Sequence, residues 1–301
     1  MRLAALLAGL LTSACCTSLP KQTAKRVAFP SAPAAVSGLR EESHVWHDAK
    51  RDRDVPVKLY VPATANGRHP VVLFSHGIGE DRESYAYMGR ALAGAGFMAV
   101  HITHAGTDRA VLERGYLNLY REVKKVENWQ ARPLDVTFVL DQLAQRDDAD
   151  LARVAVAGHS AGAFTAFAAA GIEMDRGNLR DERVKAIVAM SMPRLGDVVR
   201  DYNVTIPTLN LTGTCDTSII YRTFPRHRRI PFEQSRGQVL VTLDRVNHDT
   251  FVVEDERNAL IASIAIAFLR GYLLDDAAAR AWFAEEGKAE LVGVDLAVEV
   301  R

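Results

Sequence analysis

Short apolar runs recur along the chain, each bounded by polar or glycine-containing residues, as is typical of buried β-strands. They predict strands over 70–75, 97–104, 154–160, 184–192, 205–213 and 237–248, after two strands around a charged turn within 43–63. Segments with helical spacing lie between them. They predict helices over 85–94, 117–146, 161–171 and 254–273, and the residues after 272 predict a further helix and strand.

This alternation predicts an α/β protein with a mostly parallel central sheet and helices on both faces. We expect one domain over residues 43–301. Such sheets place ligands beyond the carboxyl ends of their strands. Polar residues that directly follow a strand are therefore the candidates for function.

Residues 1–16 predict a lipoprotein or secretion signal instead of a part of the fold. Arg2 precedes an apolar run, Leu3 to Leu11, that is too short to span a bilayer, and small residues then lead to Cys15. This pattern is similar to a bacterial lipoprotein signal, in which the cysteine is lipidated and becomes the new N-terminus. Thr12 stands where leucine is usual. We expect a membrane-anchored lipoprotein of the bacterial cell envelope, and plain secretion, a periplasmic protein or an uncleaved anchor stay open.

Residues 17–42 mix proline, serine, alanine and basic residues without periodicity, which predicts a flexible tether. Cys15 and Cys16 lie in the targeting segment, so Cys215 is the one cysteine left in the predicted domain. We therefore expect no disulfide within the domain and interpret Cys215 as a small buried hydrophobic residue.

The net charge excludes little, because 37 basic and 37 acidic residues cancel. It gives no reason to expect a nucleic-acid partner. One local excess of charge lies between 222 and 232, where we predict either a solvated loop or a recognition surface for anionic substrates or lipid headgroups. The arginines concerned are Arg222, Arg226, Arg228 and Arg229.

The segment VAVAGHSAGAF, residues 154–164, predicts a sharp turn from a strand into a helix around Ser160. Such a turn crowds the backbone, so the residues two positions away on each side must be minimal, and Gly158 and Gly162 meet that demand. The turn exposes the hydroxyl of Ser160, and the amide of Ala161 in the first helical turn points to where an oxyanion forms. These features predict a nucleophilic serine.

A nucleophilic serine needs a base and an acid that orients the base, in the chain order serine, acid, histidine. Asp216 follows the strand 205–213, and His248 follows the strand 237–246. We predict Asp216 as the acid and His248 as the base, with Asp249 and Asp197 as less well placed acids.

A second donor for the oxyanion is predicted in FSHGIG, where the amide of Ile78 follows a strand end. Four residues are predicted to line the substrate pocket: His76, Gly77, His104 and His159. We expect no metal site, since His101 and His104 fall on opposite faces of a strand and no third ligand is evident.

The motifs FSHGIG, THAGT, GHSAG, GTCDTS and NHDTF together resemble those of the serine α/β-hydrolases, in particular the dienelactone-hydrolase-like and platelet-activating-factor-acetylhydrolase-like branch. The resemblance covers about residues 45–272 and implies the α/β-hydrolase fold. It implies Ser160 as nucleophile, Asp216 as acid, His248 as base, and the amides of Ile78 and Ala161 as oxyanion hole. Dienelactone hydrolases use a cysteine nucleophile, and this chain has Ser160 there.

The expected function is hydrolysis of a carboxylic ester, of a small molecule or a lipid, through an acyl-enzyme and without a cofactor. An acyltransferase and a non-catalytic envelope binding protein on a hydrolase scaffold are the alternatives. Residues 215–236, between the acid and the histidine strand, are predicted to form a lid or specificity loop. Membrane contact is expected through the N-terminal lipid if Cys15 is modified.

Overall fold

The structure, a computed structural model, describes residues 16–32, 38–63, 67–174, 177–195, 198–218 and 222–301. Its strands are β1 Leu39–Asp48, β2 Arg53–Pro62, β3 His69–Ser75, β4 Met98–Ile102, β5 Ala149–His159, β6 Glu173–Met174, β7 Val184–Met190, β8 Val199–Asp201, β9 Thr208–Cys215, β10 Gln238–Asn247, β11 Gly287–Leu291 and β12 Val294–Val300. Its helices are α1 Ala86–Gly94, α2 Arg109–Glu113, α3 Tyr116–Val123, α4 Val126–Leu143, α5 Ala161–Ala170, α6 Ile230–Gln234, α7 Asn258–Leu273 and α8 Ala277–Ala284. Short 3₁₀ turns cover Pro225–Arg229 and Asp249–Phe251.

Ten strands form one sheet in the order β1-β2-β4-β3-β5-β7-β9-β10-β12-β11. The six central strands, β4 to β10 in that order, run parallel, and antiparallel pairs close both edges. The sheet is therefore mostly parallel, as predicted. The carboxyl ends of β3, β5, β7, β9 and β10 meet at one edge, where the candidate residues lie.

Helices cover the two faces of the sheet and enclose two hydrophobic clusters. Helices α4 and α5 pack on one face, and α1, α7 and α8 pack on the other. Strand β3 is buried along its whole length, which explains its continuous apolar sequence. The fold is that of an α/β-hydrolase.

The N-terminal segment differs from the expected tether. Residue 16 forms a disulfide with Cys215, at the end of β9, across 199 positions of sequence. Further along, the amide of Lys25 donates to the carbonyl of Lys288, and the Lys25 ammonium lies over the ring of Trp282. Cys16 and the residues up to 32 thus belong to the folded body, and the predicted tether over 17–42 is wrong for the described part of that segment.

This disulfide also corrects two expectations about cysteines. Cys215 is oxidised and paired, so it is not a free buried thiol. Cys16, which the sequence analysis assigns to the targeting segment, is bonded to the domain. Cys15 lies outside the described residues.

Among the described helices, no single one has the length and apolar composition of a membrane span. Helices α7 and α8 reach those limits only together, and they meet at an angle of 111°.

Candidate active site

Ser160 stands between β5 and α5 in a strained backbone conformation, with φ 55° and ψ −117°. A side chain on Gly158 would collide with the backbone of Gly162, and one on Gly162 would collide with the carbonyl of Ser75. The packing explains both glycines of GHSAG, as the sequence predicts. Positive φ at a non-glycine residue costs energy and persists where the surroundings impose it, which is frequent at active sites.

Asp216 and His248 lie side by side at the neighbouring strand ends. The Nδ1–H of His248 donates to Oδ1 of Asp216 over 3.0 Å. Asp216 is completely buried, whereas the His248 side chain keeps 17% of its surface exposed. This arrangement fits an acid that orients an imidazole whose other nitrogen stays available.

Ser160 and His248 line one small cavity of about 140 Å³. Its walls also include Gly77, Ile78 and His159, together with Glu80, Tyr85, Ser218, Asp249 and Val252. Within the described contacts no hydrogen bond joins Ser160 to His248. The cavity nevertheless brings together the residues predicted as nucleophile, base and oxyanion loop.

Two backbone amides beside this cavity match the predicted oxyanion hole. In the described part of the chain, neither the Ile78 N–H nor the Ala161 N–H donates to any acceptor. Ala161 is fully buried, and a buried amide without a partner is rare in a folded protein. The first amides of a helix also carry the positive end of its dipole, which favours a negative charge there.

A chain of hydrogen bonds joins the oxyanion loop to His159. The Gly77 N–H donates to the Tyr85 hydroxyl over 3.3 Å, and this hydroxyl donates to Nδ1 of His159 over 2.8 Å. The His159 ring lies 4.6 Å from the His248 ring, centre to centre. Burial and the neighbouring charge of His248 lower the pKa of His159 well below its usual value, so this ring is neutral.

His76 and His104 do not line the described cavity, which corrects that part of the expected pocket. They lie behind it and brace the end of β3. The Nδ1–H of His104 donates to Asp135, and its Nε2 accepts from the Ser75 hydroxyl. The Nε2 of His76 accepts the amide of His104. Gly77 and His159 line the cavity, and their contact with a substrate stays a prediction.

A fully buried arginine completes this brace. Arg132, on α4, donates to the hydroxyls of Ser75 and Thr107 and to the carbonyl of His76. It also donates to the hydroxyl of Thr165 on α5. One guanidinium thus fixes the oxyanion loop to the helix that carries the serine elbow at its start. The sequence offers no local signal for this contact.

Arg228 contacts the acid Asp216, although the sequence analysis predicts a solvated loop or a recognition surface for its segment. It lies in the predicted arginine cluster, yet it is buried and its guanidinium stands 2.9 Å from Oδ1 of Asp216. It also donates to the carbonyls of Ser191 and Met192. Arg222 and Arg226 are exposed, and Arg229 pairs with Glu299, so the cluster does not act as one surface.

Ser191 contacts both Asp216 and His248, and the sequence analysis does not predict this. Its hydroxyl donates to Asp216 over 2.8 Å and lies 2.6 Å from Nδ1 of His248. Ser191 also has a positive φ of 56°. Burial alone would raise the pKa of Asp216, but the charge of Arg228 and the hydrogen bonds from His248 and Thr212 hold that pKa well below its usual value.

The other candidate acids do not contact the base. Asp249 is exposed and lines the cavity, but it makes no described contact with the His248 ring. Asp197 lies outside the described residues. In the portion of the chain that the structure covers, no group of three or more metal-ligating side chains is present.

The family model of the chlorophyllases matches residues 37–191, just over half of the 301 residues. The chain belongs to the chlorophyllase family. The matched part contains Ile78 and Ser160 but ends before Asp216 and His248. This membership and the fold confirm the predicted α/β-hydrolase superfamily and support esterase-type hydrolysis as the general class of reaction.

A ferulic acid esterase from Streptomyces cinnamoneus has a similar structure. The TM-score is 0.59 at 18% identity, and the match covers 81% of this chain and 93% of the esterase. At this identity the likeness shows the fold. None of the curated proteins matches the chain in sequence.

Proposed function

We propose that this member of the chlorophyllase family is a serine hydrolase that cleaves a carboxylic ester through an acyl-enzyme. Ser160 is the nucleophile, His248 the general base and Asp216 the acid that orients it. The observation that carries this proposal is the common cavity, whose lining includes the strained Ser160, the Asp216-bound His248 and Ile78 with its free amide.

In the proposed reaction, Nε2 of His248 takes the proton from Ser160 as its oxygen attacks the carbonyl carbon of the ester. The carbonyl oxygen becomes negative and accepts from the amides of Ile78 and Ala161. The protonated imidazole then gives its proton to the departing alcohol. Water repeats the sequence on the acyl-enzyme, which releases the acid and restores Ser160.

The size of the cavity supports a small group in the acyl site. Pockets that enclose a drug-sized ligand measure about 300–1,000 Å³. The described cavity, at about 140 Å³, holds the reacting ester and a short acyl chain. The remainder of a larger substrate then lies outside, along the loops around Ser218 and Val252.

The test is labelling and turnover with a matched serine control. A fluorophosphonate probe is expected to label the wild type and Ser218→Ala, which removes another hydroxyl of the cavity wall, but not Ser160→Ala. Turnover of p-nitrophenyl acetate, butyrate and octanoate is expected to fall about 10⁴-fold or more in Ser160→Ala. The substrate panel includes esters of chlorophyll and of ferulic acid, because of the names of the relatives.

Two outcomes contradict the proposal. Equal labelling of Ser160→Ala would exclude this serine as the nucleophile, and no turnover of any ester by folded wild type would favour the binding protein. Acyl transfer to an added alcohol in preference to water would favour the acyltransferase.

We also propose that the protein acts in the cell envelope. The disulfide between Cys16 and Cys215 supports this location, since structural disulfides persist in oxidising compartments. A retained Cys16 is compatible with cleavage directly before Cys15. If Cys15 carries the lipid, mass spectrometry of the intact protein is expected to show the added mass of acyl chains in the wild type and not in Cys15→Ser. A wild type without that added mass would contradict lipidation.

A further inference from the structure

Helix α3 presents an apolar patch to solvent beside the candidate active site. Tyr116 is 73% exposed, Leu117 62% and Tyr120 57%. The opposite side of the helix is held down by Leu119, which is buried. Isolated exposed apolar residues are ordinary, but three large ones within five positions form a contiguous surface. We call Tyr116, Leu117 and Tyr120 the α3 patch.

Basic residues surround the α3 patch. Arg114, Arg121 and Lys124 are exposed at its edges, and the Lys124 ammonium lies 4.3 Å from the centre of the Tyr120 ring. The charge of one nearby carboxylate, Glu122, is balanced by the ammonium of Lys125, which lies 2.6 Å from it. Glu113 and Glu127 are the other acidic residues at the two ends of this segment.

The α3 patch stands on a rigid base that shares a wall with the cavity. Leu112 and Leu119 pack against Gly79 in the oxyanion loop. Next to it, Glu80 lines the cavity, and the amide of Arg109 donates to its carbonyl. At the other end of α3, the indole of Trp129 donates to the carbonyl of Val123 over 2.7 Å.

We propose that the α3 patch is a docking surface for a bilayer that contains anionic phospholipids. Exposed tyrosine and leucine side chains insert at the level of the headgroups, while arginine and lysine side chains attract the lipid phosphates. Because Leu119 of α3 packs on Gly79, between the cavity-lining residues Ile78 and Glu80, docking holds the cavity close to esters that reside in the membrane. The delivery of an ester to the cavity rests on the proposed function. The binding of the α3 patch to the bilayer does not depend on it.

The first experiment places a fluorescent reporter on the α3 patch in the full chain. Cys15→Ser leaves Cys16 and Cys215, which form the disulfide, as the remaining natural cysteines. Leu117→Cys or Val292→Cys then supplies one site for an environment-sensitive NBD label. Val292 is 88% exposed and lies in the turn between β11 and β12, so it is the matched control. Both proteins keep the same N-terminal segment, and any membrane binding through that segment is common to them.

With phosphatidylglycerol vesicles, we expect the label at 117 to brighten at least about threefold and the label at 292 to stay unchanged. Phosphatidylcholine vesicles or 1 M salt should weaken the response about tenfold or more in apparent affinity, since salt screens the basic residues. Equal responses at the two positions would overturn the proposal. Brightening without vesicles that grows with protein concentration would assign the α3 patch to a second copy of the chain.

The second experiment separates docking from catalysis. The triple variant Tyr116→Ser, Leu117→Ser, Tyr120→Ser should retain turnover of soluble p-nitrophenyl acetate and lose about tenfold in turnover of an ester embedded in anionic vesicles. Unchanged turnover of the embedded ester would contradict the docking surface. Failure of the wild type on both esters would instead contradict the proposed function.

Discussion

The guanidinium of Arg228 and the carboxylate of Asp216 form an ion pair of 2.9 Å in which both side chains are completely buried. The same guanidinium lies 3.0 Å from Nδ1 of His248. Arg228 therefore acts on the candidate base both through the charge of Asp216 and directly. A cation this close favours the ionised carboxylate of Asp216 and holds its pKa well below the usual value.

Arg228→Gln is expected to move the acid limb of the pH–activity profile to higher pH, because the Asp216 carboxylate loses the charge that holds its pKa well below the usual value. We expect kcat/KM at pH 7 to fall about tenfold to a hundredfold. Removing one partner of a buried pair also costs about 3–5 kcal/mol of stability, so circular dichroism must verify the fold. The measurement is kcat/KM from pH 5 to 9.

Two variants serve as controls for Arg228. Arg228→Lys keeps the positive charge and should retain the position of the acid limb, and Arg226→Gln changes an exposed arginine two positions away. An acid limb in Arg228→Gln that coincides with that of the wild type would refute the electrostatic argument.

Gly162→Ala is expected to destabilise the fold by about 3 kcal/mol or more, since the added methyl group collides with the carbonyl of Ser75. The matched change is Gly94→Ala, where the methyl group meets nothing within 4 Å. Alanine in that helical position should be neutral or stabilise by up to about 1 kcal/mol. Urea unfolding of both variants measures the difference, and equal stabilities would show that the elbow tolerates a side chain.

Stability should fall as the pH drops from 7 to 5, because of buried neutral histidines. Burial lowers the pKa of His101 to about 4, and burial with the charge of Arg132 lowers that of His104 to about 4. The unfolded chain binds protons on these residues at about pH 6.5, so it holds more protons than the native state throughout this window. Each group contributes a slope of up to about 1.4 kcal/mol per pH unit.

Urea unfolding at pH 7, 6 and 5 measures this slope. His101→Gln removes one titrating group and should reduce the slope by up to about 1.4 kcal/mol per pH unit. The glutamine amide can replace the one described hydrogen bond of His101, to the carbonyl of Ser84. A free energy of unfolding that does not change between pH 7 and 5 would show that these histidines are protonated in the native state.

Loss of the disulfide is expected to destabilise the protein by about 2–5 kcal/mol, because the bond closes a loop of 199 residues in the unfolded chain. Cys16→Ser removes it with the least change near Asp216. Reductant should lower the stability of the wild type to that of Cys16→Ser and leave the variant unchanged. Equal stability of the wild type with and without reductant would contradict a structural bond.

The sequence predicts those features of this protein that depend on neighbouring residues. The buried strands have continuous apolar runs, and the elbow around Ser160 needs glycines at fixed spacing. Both features can therefore be predicted from residues that are close in sequence. The order of acid and histidine at strand ends likewise follows from the parallel sheet. Asp216 and His248 could therefore be placed beside each other before any coordinates were known.

The remaining features depend on contacts between distant positions. Arg228 lies in a run with three other arginines, and only the fold shows which of them turns inward. Cys16 and Cys215 are far apart in sequence, and Cys16 falls next to an apolar leader that suggests removal. Ser191 and Tyr85 reach the site through backbone conformations with positive φ, which serine and tyrosine rarely adopt and which the sequence therefore does not predict.

Arg132 has a consequence for anyone who wishes to redesign the substrate preference. Its guanidinium joins three separate segments through the hydroxyls of Ser75, Thr107 and Thr165 and the carbonyl of His76. Changes on that side of the cavity would therefore disturb the reactive geometry as well as the fit of the ligand. The cavity wall at Ser218 and Val252 receives no hydrogen bond from Arg132 in the described contacts. Libraries directed at those two positions should yield altered selectivity while leaving the chemical machinery intact.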